Sequence, residues 1–166
     1  MKIFLISFLT TVSIAFTGMF YEKHPLDSLG KILQFVAEKV ELKHRMMPIG
    51  TSIASPDGIL KRVGLEFKYN QQMSKKEFSE ILFEIATLLL EKINENEEIR
   101  PSLDHYPFDY SDISIVIFLM KENGRFIDPD YTDVALEYGS FIFHTNDPST
   151  KFGYKTTIKE PIHHNE

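Results

Sequence analysis

DISIVIFLMKENGR, residues 112–125, decides how this chain folds. Ile113, Ile115, Ile117 and Leu119 alternate with Val116, Phe118 and Met120, so the run is apolar on both faces, as a central strand is. Glu122-Asn123-Gly124-Arg125 follows, and Asn-Gly between such runs signals a tight reversal. The chain therefore returns antiparallel through 125–127, detours at Asp128-Pro129-Asp130-Tyr131 and resumes as a strand over 132–138. Tyr138-Gly139-Ser140 turns it once more into a strand at 141–145. Residues 148–166 read as a flexible tail, with weak strand character around 152–158.

Working towards the N-terminus, residues 73–93 carry an amphipathic helix. Ser74 and Glu77 have capping-box spacing, and Met73 and Phe78 that of a hydrophobic staple. Phe78, Ile81, Leu82, Ile85, Leu88 and Leu89 line one face, broad enough to be the main core helix. Residues 59–69 alternate as a half-buried strand, with Val63, Leu65, Phe67 and Tyr69 on one side and Arg62, Glu66 and Lys68 on the other. Residues 46–58 read as a loop ending in a Ser-Pro-Asp-Gly turn. Leu26, Leu29, Leu33, Val36 and Val40 give a second amphipathic helix over 26–43. The order predicts one α+β domain over 24–147, an antiparallel sheet of roughly four strands carrying two helices, in a cystatin-like or ferredoxin-like arrangement. Phe78, Leu82, Ile85 and Leu89 are expected to share a core with Val63, Leu65, Phe67, Ile115 and Ile117.

Residues 1–20 differ from the rest. Lys2 precedes an apolar run from Ile3 to Val12, and Ser13-Ile14-Ala15 offers small residues before a cut, the pattern of a signal peptide. The rival is an uncleaved anchor, because the weakly polar stretch continues to Phe20. The chain has no cysteine, which excludes disulfides, thiolate chemistry and acylation of a lipoprotein-type cysteine. No Asn-x-Ser/Thr acceptor occurs either, and the two absences lean towards a bacterial exported protein, periplasmic or secreted. The formal charge is −6, and no Lys/Arg cluster exists to release phosphate counterions, which argues against nucleic acid. Membrane contact is expected only through the N-terminal segment, if it stays attached.

Catalytic signatures are missing: no Gly-x-Ser-x-Gly, no His-Glu-x-x-His and no Gly-rich phosphate loop. Asp128-Pro129-Asp130-Tyr131-Thr132-Asp133 resembles a calcium loop but lacks the required glycine, and has Gly139 at the twelfth position. His163-His164 with Glu166 fits an incidental weak cation contact. No cofactor and no metal centre is predicted.

One stretch remains, Arg100-Pro101-Ser102-Leu103-Asp104-His105-Tyr106-Pro107-Phe108-Asp109-Tyr110-Ser111-Asp112, between the core helix and the central strand. It admits three readings. As a packed crossover, Pro101 stops the helix, and Leu103, Tyr106 and Phe108 plug its end. Asp109 or Asp112 then bonds local amides, Tyr106 and Phe108 are buried, and His105 points outward with no carboxylate partner. As an active site, His105 is a general base oriented by Asp104 or Asp109. As a binding surface, Tyr106, Phe108 and Tyr110 are anchors for a protein or small ligand. The crossover is the favoured structural reading. The favoured function is a non-enzymatic exported binding module, with a small acid/base enzyme and a membrane-anchored assembly subunit as alternatives.

The run from Asn96 to Phe118, followed by Lys121-Glu122-Asn123-Gly124, resembles small bacterial exported proteins with an Arg-Pro-x-Leu-x-x-Tyr-Pro-Phe core. Pro48-Ile49-Gly50 and the strand at 59–69 fit the same pattern, which would span about residues 26–146. The resemblance implies no activity and assigns no functional residue.

Overall fold

The structure, a computed structural model, describes residues 25–127, 131–146 and 154–161, with side chains over 26–127 and 131–144. The leader, the Asp128-Pro129-Asp130 detour and the terminal histidines lie outside these residues. The elements are α1 (Pro25–His44), β1 (Met47–Ala54), β2 (Arg62–Tyr69), α2 (Lys75–Glu95), β3 (Ile113–Leu119), β4 (Tyr131–Glu137), β5 (Ser140–Asn146) and β6 (Tyr154–Pro161). The six strands form one sheet in the order β1-β2-β3-β4-β5-β6.

The fold is α+β, as the patterning predicts, but the sheet differs from the expected one in three ways. It is mixed: β2 and β3 run parallel, with Val63 beside Ile113 and Tyr69 beside Leu119, while every other pair is antiparallel. The reason is α2 together with residues 96–112, a long crossover that carries the chain back to the starting end of the sheet. The strictly sequential order is neither a ferredoxin-like interleaving nor an all-antiparallel meander. Second, the expected loop at 46–58 contains β1. Pro48, Gly50 and mostly exposed side chains hide it from periodicity, and an edge position tolerates all three. Asp57 (φ 54°) and Gly58 (φ 81°) make the reversal into β2. Third, the stretch read as a tail, with weak strand character around 152–158, supplies a full strand, β6, paired with β5 from Ser140–Pro161 to Asn146–Tyr154.

Both helices cover the same face. Leu29, Leu33, Val36 and Val40 of α1 and Phe78, Leu82, Ile85, Leu89 and Ile93 of α2 share one core with Val63, Leu65, Phe67, Ile113, Ile115 and Ile117. Helix α1 lies towards β1, and α2 lies over β3 and β4. The predicted capping box starts α2: the Ser74 hydroxyl accepts from the Glu77 amide, and the Glu77 carboxylate accepts from the Ser74 amide at 2.8 Å. On the other sheet face Ser114, Val116 and Phe118 are half-buried, so β3 is central without a helix on its second side. Among the described residues no helix is long and apolar enough to cross a membrane.

The Asn-Gly reversal after β3 forms as read. Lys121 donates to the Arg125 carbonyl at 2.8 Å, Gly124 takes φ 78°, and Met120 bridges Phe126 antiparallel. Tyr138 (φ 50°) and Gly139 (φ 67°) close the β4–β5 hairpin with two left-handed residues, the geometry that matches strand twist.

Candidate functional site

The crossover begins where α2 ends. Asn96 ends the helix, its N–H donating to the Ile93 carbonyl at 3.2 Å, while its side-chain oxygen accepts the amides of Glu98 (2.9 Å) and Ile99 (3.2 Å) in the turn beyond, and a 3-10 turn at Arg100–Ser102 follows. The chain then bridges the start of β2: Leu60 donates to the Ser102 carbonyl at 2.6 Å, and Asp104 donates to the Leu60 carbonyl at 2.9 Å. Next it runs back along α2. The Asn94 side chain holds Phe108 by both backbone groups, accepting from its N–H and donating to its carbonyl, each at 2.9 Å. Further on, the Tyr110 hydroxyl reaches Thr87 Oγ1 at 3.0 Å, and the Tyr110 ring stacks on Phe83 at 5.4 Å. The Tyr110 carbonyl accepts from Gly139, tying the crossover to the β4–β5 turn.

This pinning sorts the candidate residues. Phe108 is 2% exposed and belongs to the core, so it is a packing residue and not a contact anchor; Leu103 is buried beside it in that core. Tyr106 does not plug the helix end as expected. It is 51% exposed, and the Arg100 guanidinium lies 4.5 Å over its ring. Its hydroxyl points at the Asn94 carbonyl at 3.4 Å. Tyr110 is half-buried against α2. The outer surface thus presents Tyr106 and Arg100 at one end and Phe83 with Tyr110 at the other.

His105 also departs from expectation. Its Nε2 lies 3.0 Å from Oδ2 of Asp112, so it has a carboxylate partner, though neither of those predicted. Asp104 faces Lys61 at 3.9 Å, and Asp109 accepts from the amide (2.7 Å) and hydroxyl (2.6 Å) of Ser111. The Ser111 hydroxyl, then its amide, hold the Asp109 carboxyl below the ordinary carboxylate range, and the nearby His105 acts in the same direction. Asp112 is buried, and the same Oδ2 accepts the Asp109 amide at 2.7 Å. Ligand atoms of His105, Asp109 and Asp112 lie within 4.8 Å of one another, so these three could share a cation. Each carboxylate is, however, already engaged by turn amides, and two of the three residues are exposed.

A second His–Asp pair, which no sequence motif marks, lies on the uncovered sheet face. Asp133 of β4 and His144 of β5 sit opposite each other, with His144 Nδ1 2.5 Å from Asp133 Oδ2. The Thr132 hydroxyl donates to Asp133 Oδ1 at 2.9 Å. Among the described residues, concavities are lined by other side chains: a groove of about 690 Å³ between α1 and the end of α2 beside Phe35, Lys92 and Glu98; a small one of about 110 Å³ at Leu26, Leu60 and Ile99; and one of about 280 Å³ at His44, Met73 and Glu84. His105 lines none of the three, and its side chain is 49% exposed.

Comparison with protein-family models, curated proteins and solved structures returned no match.

Proposed function

We propose that this chain is an exported, non-enzymatic interaction module that binds a protein partner through the outer surface of the 100–112 crossover. The observation that carries the reading is Tyr106: a half-exposed aromatic ring held in place by the Arg100 guanidinium on a segment pinned at Leu60, Asn94 and Thr87. Tyrosine and arginine supply much contact energy at interfaces, and a ring already fixed loses little freedom on binding. Phe83 and Tyr110 extend the surface along α2. Phe108 supports it from beneath. The signal-peptide reading of residues 1–20 and the likeness to small bacterial exported proteins belong to the same proposal, which places the partner in an envelope or outside the cell.

The His105–Asp112 contact favours a second reading, an acid/base enzyme in which Asp112 orients His105. A general base needs a substrate held against it in a partly enclosed site, and His105 stands on an open surface. The interaction reading is therefore preferred.

The test is capture from an envelope extract of the native source by immobilised full-length protein. Tyr106→Ala and Arg100→Ala should each weaken retention of the wild-type partner about tenfold with an unchanged melting temperature, while Lys76→Ala retains it. Equal retention by all three variants overturns the proposal.

A further inference from the structure

Strand β1 ends the sheet, so half of its backbone hydrogen-bonding groups face away from β2. Proteins usually guard such an edge with charge, proline or a bulge. Here proline and a bulge act only at the start, where the register with β2 shifts between Pro48 and Gly50. From Gly50 to Ala54 the pairing with β2 is unbroken, and no residue from Met46 to Pro56 is charged. Ile49 and Ile53 are exposed at 46% and 43%. Among the described residues this edge is open to another strand.

The sequence of the edge says which strand. Ile49-Gly50-Thr51-Ser52-Ile53 reads nearly the same in both directions. Antiparallel pairing about a two-fold axis at Thr51 sets Thr51 against Thr51 of the other copy. It sets Ile49 against Ile53 twice, and Gly50 against Ser52 twice. Opposed β-branched and Thr–Thr pairs are favourable in antiparallel sheets. The nearest charges on either side, Arg45 and Asp57, are equally far from Thr51 and both exposed. The same two-fold brings Arg45 of one copy to the end that carries Asp57 of the other, so the charges complement each other at both ends.

We propose that a second copy of this chain docks on β1, joining the two sheets edge to edge about a two-fold axis at Thr51. A two-fold interface is self-complementary, which is the property this edge has. Thr51 and the strand around it are not among the residues proposed above as the partner surface, and the proposal stands or falls independently of that function.

Sedimentation equilibrium of the full-length protein tests it. Wild type should show a concentration-dependent dimer, and Thr51→Lys, which opposes two ammonium groups at the axis, should weaken association at least about tenfold. Because the chain has no cysteine, a single introduced thiol reports proximity without background. Under mild oxidation Thr51→Cys should form a covalent dimer, whereas Gln72→Cys, exposed and away from β1, should remain monomeric. The thiol arm also covers the case in which Thr51→Lys fails to fold. A wild-type monomer at all concentrations, a dimer unchanged by Thr51→Lys, or no faster cross-linking through position 51 than through position 72 overturns the proposal.

Discussion

Asn94 grips Phe108 by both backbone groups, its amide oxygen accepting the Phe108 N–H and its amide nitrogen donating to the Phe108 carbonyl, each at 2.9 Å. One side chain from the last turns of α2 thus replaces a missing strand partner in the crossover. Asn94→Ala leaves both groups without their partner in a part-buried site. It should destabilise the domain by about 1–3 kcal/mol. Asn94→Asp keeps the acceptor but sets a carboxylate oxygen against the Phe108 carbonyl oxygen, so it should not restore the lost stability. Urea denaturation measures both; an unchanged midpoint for Asn94→Ala would show that the grip contributes nothing.

Phe108 and Tyr106 should separate stability from surface. Phe108→Ala removes a buried ring from the core beneath the crossover and should cost about 3–5 kcal/mol. Tyr106→Ala should stay within about 0.5 kcal/mol of wild type, as exposed positions usually do. Comparable losses in the two denaturation curves would contradict the assignment of one ring to the core and the other to the surface.

Asp109 gives a pH-dependent signature. Its carboxyl is held below its ordinary value, so its contribution is fully present above the unfolded-state pKa and disappears as pH falls through the lower native value. Ser111→Ala deletes the hydroxyl bond, the largest cause, while leaving the amide bond. A carboxyl NMR titration should show Asp109 shifted upward in that variant. The stability gap between the two proteins should be present at neutral pH and close in acid. A titration curve that does not move would remove Ser111 as the cause.

Gly64 marks how closely three strands meet on the uncovered face. A Cβ there would lie 2.2 Å from Ser52 Oγ and 2.8 Å from the Ser114 carbonyl oxygen. The serine can rotate away, but the carbonyl belongs to β3 and cannot. Gly64→Ala should therefore cost about 1–3 kcal/mol, with Gly30→Ala, which has open space around it, as the neutral or stabilising control. A melting temperature equal to wild type for Gly64→Ala would mean that β1 and β3 do not flank β2 as described.

What could be read from residues followed the strength of local signals. Both helices carry apolar stripes and α2 carries a capping box, so their limits came out almost as observed. The β4–β5 hairpin carries its register in the sequence. A two-residue turn at Tyr138-Gly139 pairs Glu137 with Ser140, and counting back by residues then places Asp133 opposite His144. Strand β1 escaped because an exposed edge has no buried face to impose alternation, and Pro48 and Gly50 are loop residues by propensity. The parallel β2–β3 pair depends on where α2 and the crossover deliver the chain, which is a tertiary fact. At the site, the local carboxylate bonds of Asp109 and Asp112 followed from turn chemistry. Asp112 as the partner of His105, and Arg100 over Tyr106, required the path of the crossover, since spacing alone pointed to Asp104 and Asp109.

The central claim, that the outer face of the crossover is where a partner binds, is tested most directly by photo-cross-linking in the native source. A benzoylphenylalanine at position 106 replaces one exposed aromatic ring by another, and the same residue at Lys76, on the exposed face of α2's first turn, serves as reference. The account predicts a discrete adduct of defined mass on irradiation of the position-106 protein, absent from the position-76 protein and abolished when Arg100→Ala is added. No adduct at position 106, or the same adducts from both positions, would contradict it.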